Sequence, residues 1–185
     1  MGEIMKFKIQ NSKSKILVLF IALACACASA AELSAYSNKE HKFEIKYPAD
    51  WEKKENFNDT TVAFIAPRGA KVLFRPSVNV VAQDIPADAD LAKFSDGALA
   101  VLDKLLKNYT QLEKTETTLA GVKAIRVVYS YSYEEGESKI QYDVKALLVL
   151  AVAGKKAYAI TCTAETPSFN GQKAVFDEIV NSFKL

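Results

Sequence analysis

The chain has 185 residues, half of them hydrophobic and a quarter charged, a folded globular composition of one-domain length that excludes the disordered and fibrous classes. Four of the 24 basic residues and one of the 22 acids precede Ala31, so the formal charge of +2 becomes −1 for the remainder and a nucleic-acid binder with a basic face is excluded. Beyond Ala31 one histidine and one cysteine remain, too few Cys and His ligands for a usual zinc site.

Residues 1–30 read as an export signal. Lys6, Lys8, Lys13 and Lys15 precede the apolar run "ILVLFIALACACA", which falls short of the roughly 20 residues a membrane-spanning helix needs. Ala28-Ser29-Ala30 fits the small-residue cleavage pattern, with Ala31 as the new start. Cys25 follows small and aliphatic residues, the setting in which bacterial lipoproteins are cut before a lipid-modified cysteine, and is the candidate lipidation site. Its leucine stands one position late for the usual order. Residues 31–41 read as a short tether and residues 42–185 as one domain. After cleavage only Cys162 remains, so no internal disulfide forms and the fold rests on its core.

Phe43, Ile45 and Tyr47 alternate with charged residues as a half-buried strand does, and Pro48, which has no N–H, stops the ladder. A second strand is predicted over Thr61–Ala66 and a third over Val72–Ala82, with Pro76 marking an edge or a bulge. From Asp90, the predicted N-cap, to Tyr109 the period changes: Leu91, Phe94, Ala98, Leu102, Leu105 and Tyr109 form one helical stripe. Ile125 to Tyr133 and Ile140 to Val152 alternate as a hairpin, and a two-residue turn at Glu135-Gly136 would set Tyr131 opposite Ile140. A turn at Gly154-Lys155 sets Leu150 opposite Ala159 and Val149 opposite Ile160, giving strands apolar on both faces. A second helix is predicted from about Ser168 to Ser182. The expected fold is α+β: an antiparallel sheet covered by helices on both faces, with Cys162 an inert core residue.

No catalytic residues emerge. His41 is the one histidine, at the domain's edge, and the scattered glycines form no phosphate-binding loop. An enzyme using carboxylates alone stays open without a particular pair. Asn58-Asp59-Thr60 and Asn108-Tyr109-Thr110 match the glycosylation acceptor pattern. The expected register places Arg126 opposite Lys145 and diagonal to Asp143. These three residues form the candidate binding site for a ligand or a partner loop, the alternative being a solvated sheet end with a weak surface ion pair.

The run "FEIKYPADWEKKE" resembles the opening of PsbP-like domains, a strand ending in an aromatic-Pro-x-x-Trp turn whose tryptophan folds under the core. The resemblance continues through "VAFIAP", "VNVVAQDIP", "NYTQLEKTETTLAGVKAIRVVYSY", "GKKAYAITCTAE" and "VNSFKL". It implies an α/β/α sandwich around an antiparallel sheet. The namesake proteins are extrinsic lumenal subunits of photosystem II that support its calcium and chloride needs, and similar domains occur in exported bacterial proteins. The resemblance transfers no catalytic motif. Metal contacts in photosynthetic members involve histidine, and His41, read as preceding the first strand, does not inherit them.

The expected function is that of an exported, non-enzymatic accessory protein docking on a membrane or cell-envelope complex. Its place would be the periplasm, the thylakoid lumen or the outer membrane surface, held peripherally or by a lipid anchor. The alternative is a small-ligand or ion-binding module, with calcium suggested by the resemblance alone.

Overall fold

A computed structural model describes residues 32–69, 74–86, 89–136 and 139–185. The proposed signal and Cys25 lie outside the described residues. The elements run β1 (Leu33–Asn38), β2 (Phe43–Pro48), β3 (Glu52–Phe57), β4 (Thr60–Ile65), β5 (Ser77–Asp84), α1 (Leu91–Leu105), β6 (Lys107–Leu119), β7 (Val122–Glu135), β8 (Ile140–Ala153), β9 (Lys156–Glu165) and α2 (Thr166–Asn181). A seven-stranded antiparallel sheet has the order β3-β4-β5-β9-β8-β7-β6, and β1-β2 form a separate hairpin. The α+β sandwich expected from the pattern is the fold observed.

The hairpin corrects the expected tether. Residues 31–41 hold β1, whose Tyr36 is buried with its ring 5.9 Å from Phe43 and 6.0 Å from Phe64. Burial of this ring and the six-residue pairing with β2 together hold the strand on the domain. The hairpin and α2 cover one face of the sheet, burying Phe64, Val78, Val80, Ile160 and Cys162 against Phe43, Ile45, Phe176 and Ile179. Trp51 joins this core, as expected of the turn after Pro48, and its N–H donates to the Pro48 carbonyl at 2.9 Å. Phe183 stacks on Phe43 at 5.3 Å, and Lys184 exchanges both backbone hydrogen bonds with Glu44, closing the outer edge of β2.

The opposite face carries α1, which lies against β6, β7 and β8. Asp90 caps it, accepting from the Lys93 N–H at 2.8 Å. Leu91, Phe94, Ala98 and Leu102 pack on Val127, Tyr129, Leu148 and Leu150 as the stripe predicted. The helix stops earlier than expected. Leu106 is extended, Asn108 takes φ 57°, and Tyr109 reaches the same core from β6 rather than from a further helical turn. Leu105, assigned to the buried stripe, is instead 72% exposed.

The β8–β9 register is the expected one, with Leu150 opposite Ala159 and Val149 opposite Ile160. The β7–β8 register is not. The ladder runs out to Glu135 opposite Ile140, so Tyr131 faces Val144. Gly136 and Lys139 both take positive φ and close a longer connection than the two-residue turn expected. The slip is an even number of residues, so every side chain keeps its face and the alternation alone could not detect it.

Candidate functional site

Arg126, Asp143 and Lys145 share a sheet face but are not brought together. Arg126 stands opposite Val149, six residues from Asp143 along β8, or ~20 Å at about 3.3 Å per residue. Its guanidinium donates to Glu113 on β6 at 3.3 Å, an exposed pair. Asp143 accepts from Ser132 Oγ at 3.4 Å, and the Lys145 ammonium lies 5.3 Å from the centre of the Phe169 ring. The longer β7–β8 connection is what separates them. His41 follows β1 rather than preceding the first strand. It sits half-buried in the β1–β2 turn, its carbonyl accepting from Tyr158 Oη at 2.8 Å and its Nδ1 without a partner. Cys162 is fully buried, which pushes its thiol pKa well up, as an inert core residue requires.

The site that sequence reasoning missed lies beside α1. The helix covers the β6–β8 half of its face. On the other half Val81, Ala159 and Thr161 stay half-buried beside the helix. A groove of about 600 Å³ runs there between Phe94, Gly97, Ala98, Val101 and Leu102 of α1 and Val81, Leu148, Leu150 and Ala159 of the sheet. Val101 on its rim is 53% exposed, and Leu105 lies one helical turn further on.

A second cavity of about 400 Å³ adjoins the groove and is lined by different chemistry: Phe57, Phe74, Tyr131 and Tyr133 with Asn58, Ser77, Asn79 and Thr163. The two meet where Asn79 of β5 pairs with Thr161 of β9. Ser77 and Thr163 satisfy each other across the same strands at 2.9 Å, whereas the Asn79 and Thr161 side chains have no hydrogen-bond partner among the described residues. Arg75 lines the cavity with its charge already engaged: Nε donates to the Ala66 carbonyl at 2.6 Å and Nη1 to Glu52 at 3.1 Å. Glu52 is also bridged by Lys54, and that pairing, ahead of Arg75, holds its carboxyl below the usual range. Burial, with the neighbouring Tyr133 phenol adding to it, pushes Tyr131 up to about 12, so it is a neutral hydrogen-bonding group here.

Among the described residues no three His, Cys, Asp or Glu come together to hold a metal ion, and no helix is long and apolar enough to cross a membrane. What this trough offers chemically is apolar area and neutral hydrogen bonding.

Residues 31–185 match the PsbP family profile. The chain belongs to the PsbP family. The match begins at Ala31, so it takes in β1 and agrees with the hairpin as part of the domain. Among solved structures, cyanobacterial PsbP (CyanoP) from Synechocystis aligns with a TM-score of 0.62 at 16% identity, over 88% of this chain and 97% of its own. LpqN from Mycobacterium tuberculosis, described as involved in cell envelope biogenesis, aligns at 0.60 and 15% identity over 83% and 90%. The Ran-binding protein Mog1p of Saccharomyces cerevisiae aligns at 0.56 and 11% identity over 83% and 95%. At such identities these likenesses establish the PsbP fold and nothing of function. No curated protein matches the sequence.

Proposed function

We propose that this PsbP-family chain is an exported, non-enzymatic accessory protein that docks on a protein complex of a membrane or cell envelope. The observation that carries the reading is the open apolar groove beside α1. Its rim continues into exposed Val101 and Leu105, whereas α2 and the β1–β2 hairpin cover the other face. An apolar surface of this kind, rimmed by polar residues, is characteristic of a protein contact. The occupant is an apolar segment of the partner laid along α1. The same fold occurs in a Ran-binding protein, so a protein-binding role is compatible with it.

The experiment is affinity purification of the tagged protein from native membranes in mild detergent, with mass spectrometry of what is retained. A membrane or envelope complex recovered in stoichiometric amount is the expected result. A partner-free protein after chemical cross-linking in intact cells would overturn the reading. The intact mass of the purified chain reports in the same experiment whether it begins at Ala31 or carries lipid on Cys25.

A second reading is favoured by the groove's size. About 600 Å³ falls within the range of small-molecule pockets, so an apolar ligand of modest size fits it. A ligand-dependent rise in melting temperature would identify such a compound.

A further inference from the structure

We infer that the aromatic and polar cavity at the β3–β4 end of the sheet is a binding cleft for a neutral saccharide. It is distinct in chemistry from the apolar groove, and the inference stands whether or not a protein docks there. A pyranose ring presents flat patches of C–H bonds and a rim of hydroxyls, each able to donate and accept. A site for it needs aromatic surface beside planar, uncharged groups with donor and acceptor side by side.

The cavity supplies both. Phe57 is 38% exposed and Tyr133 41%, and both line it, with Phe74 set edge-on to Tyr133 at 5.7 Å. Part of each ring stays at the cavity, while Lys54 Nζ lies 4.9 Å from the centre of the Phe57 ring and Tyr142 stacks on Tyr133 at 6.3 Å. Asn79 supplies an amide from a central strand, half-buried and with no hydrogen-bond partner among the described residues. Asn58 supplies a second from the β3–β4 turn, held there at φ 49°. The Asn79 amide reaches solvent in the cavity, so it can bond a ligand without first breaking a protein hydrogen bond. The charge balance selects a neutral ligand: Arg75, the charged residue of the lining, is spent on Glu52 and the Ala66 carbonyl, and Tyr131 keeps its proton at any physiological pH.

The test is a titration of the isotope-labelled protein with chito-, cello- and malto-oligosaccharides, read by amide chemical shifts. At millimolar sugar, at least one series is expected to move the amides of Phe57–Thr60, Ser77–Asn79 and Tyr131–Tyr133 together. Tyr133→Ala and Asn79→Ala are each expected to weaken that binding at least tenfold. Tyr133→Ala gives up ring contacts with Phe74 and Tyr142, so a modestly lower melting temperature is expected, and an unaltered spectrum elsewhere in the sheet verifies the fold of both. Absence of titratable shifts with all three series would overturn the inference. So would shifts confined to other surfaces, or binding untouched by both substitutions. A membrane protein captured by the wild type and lost on Asn79→Ala, without any sugar response, would put a protein in the cleft and overturn it equally.

Discussion

Ala120 holds φ 50° and Gly121 φ 80°, the pair of left-handed residues that closes the two-residue turn between Leu119 and Val122. Glycine adopts this geometry freely, whereas alanine is strained by its Cβ, at a cost of about 1–2 kcal/mol. Asparagine tolerates it better, and the β3–β4 turn already uses Asn58 and Asp59 at φ 49° and 60°. Ala120→Asn is therefore expected to stabilise the protein by about 0.5–1 kcal/mol, seen as a higher urea midpoint with an unchanged slope. A lowered midpoint would show that the turn is not under strain. Burial produces a second effect at this scale. Unfolded, a thiol titrates near about 8.5 and a phenol near about 10, whereas in the fold Cys162 and Tyr131 keep their protons to higher pH. Above those unfolded values the unfolded state binds fewer protons than the native one, so stability falls as pH rises. The contribution of Tyr131 is complete below about pH 10 and is lost as pH climbs toward its folded value of about 12. Denaturant midpoints measured from neutral pH upward should show the decline, and Tyr131→Phe should make it shallower.

The elements the sequence conceals are those at the margins. β3 reads "EKKENF" and β6 "KNYTQLEKTETTL", and both are edge strands of the seven-stranded sheet. An edge strand with charged side chains resists pairing with another chain, but the same charges erase the apolar alternation by which a strand is recognised. The interior strands β7, β8 and β9 kept that alternation, and so did the first four apolar positions of α1. The trough escaped notice for a related reason. Ser77 and Asn79 alternate with Val78 and Val80, and Thr161 and Thr163 with Ile160 and Cys162, so β5 and β9 carry a polar face that the reading of β9 as apolar on both sides passes over. What no local pattern could tell is that α1 stops short of it. β1 is short and nearly neutral, which is why it passed for a tether. A chain beginning at Lys42 is thus expected to lose the Tyr36 packing and the six-residue β1–β2 pairing, a cost of at least about 2–3 kcal/mol visible as a lower melting temperature. One beginning at Ala31 should melt as the longer protein does. Equal melting of both would make the hairpin dispensable.

At the scale of the whole domain, the two faces of the sheet are finished differently. On the α2 side, Phe43, Phe176, Phe183 and Tyr158 are all buried, and a substitution such as Phe176→Ala is expected to act through stability, at about 3–5 kcal/mol. On the α1 side, Val101 and Leu105 spend apolar surface on solvent, so their contribution to folding is small. The same residues lie in the last turns of α1, where a cation is favourable to the helix. Val101→Lys combined with Leu105→Lys should accordingly fold to within about 0.5 kcal/mol of the parent. If the groove is where a protein partner lies, two ammonium groups on its rim must be desolvated on contact, and capture from native membranes should fall at least tenfold, about 1.4 kcal/mol or more. Capture that survives this variant would move the contact off the open half of the sheet. Loss of capture together with loss of fold would show that α1 needs these residues for packing. The pairing of a melting curve with a capture assay on the same variant separates the two.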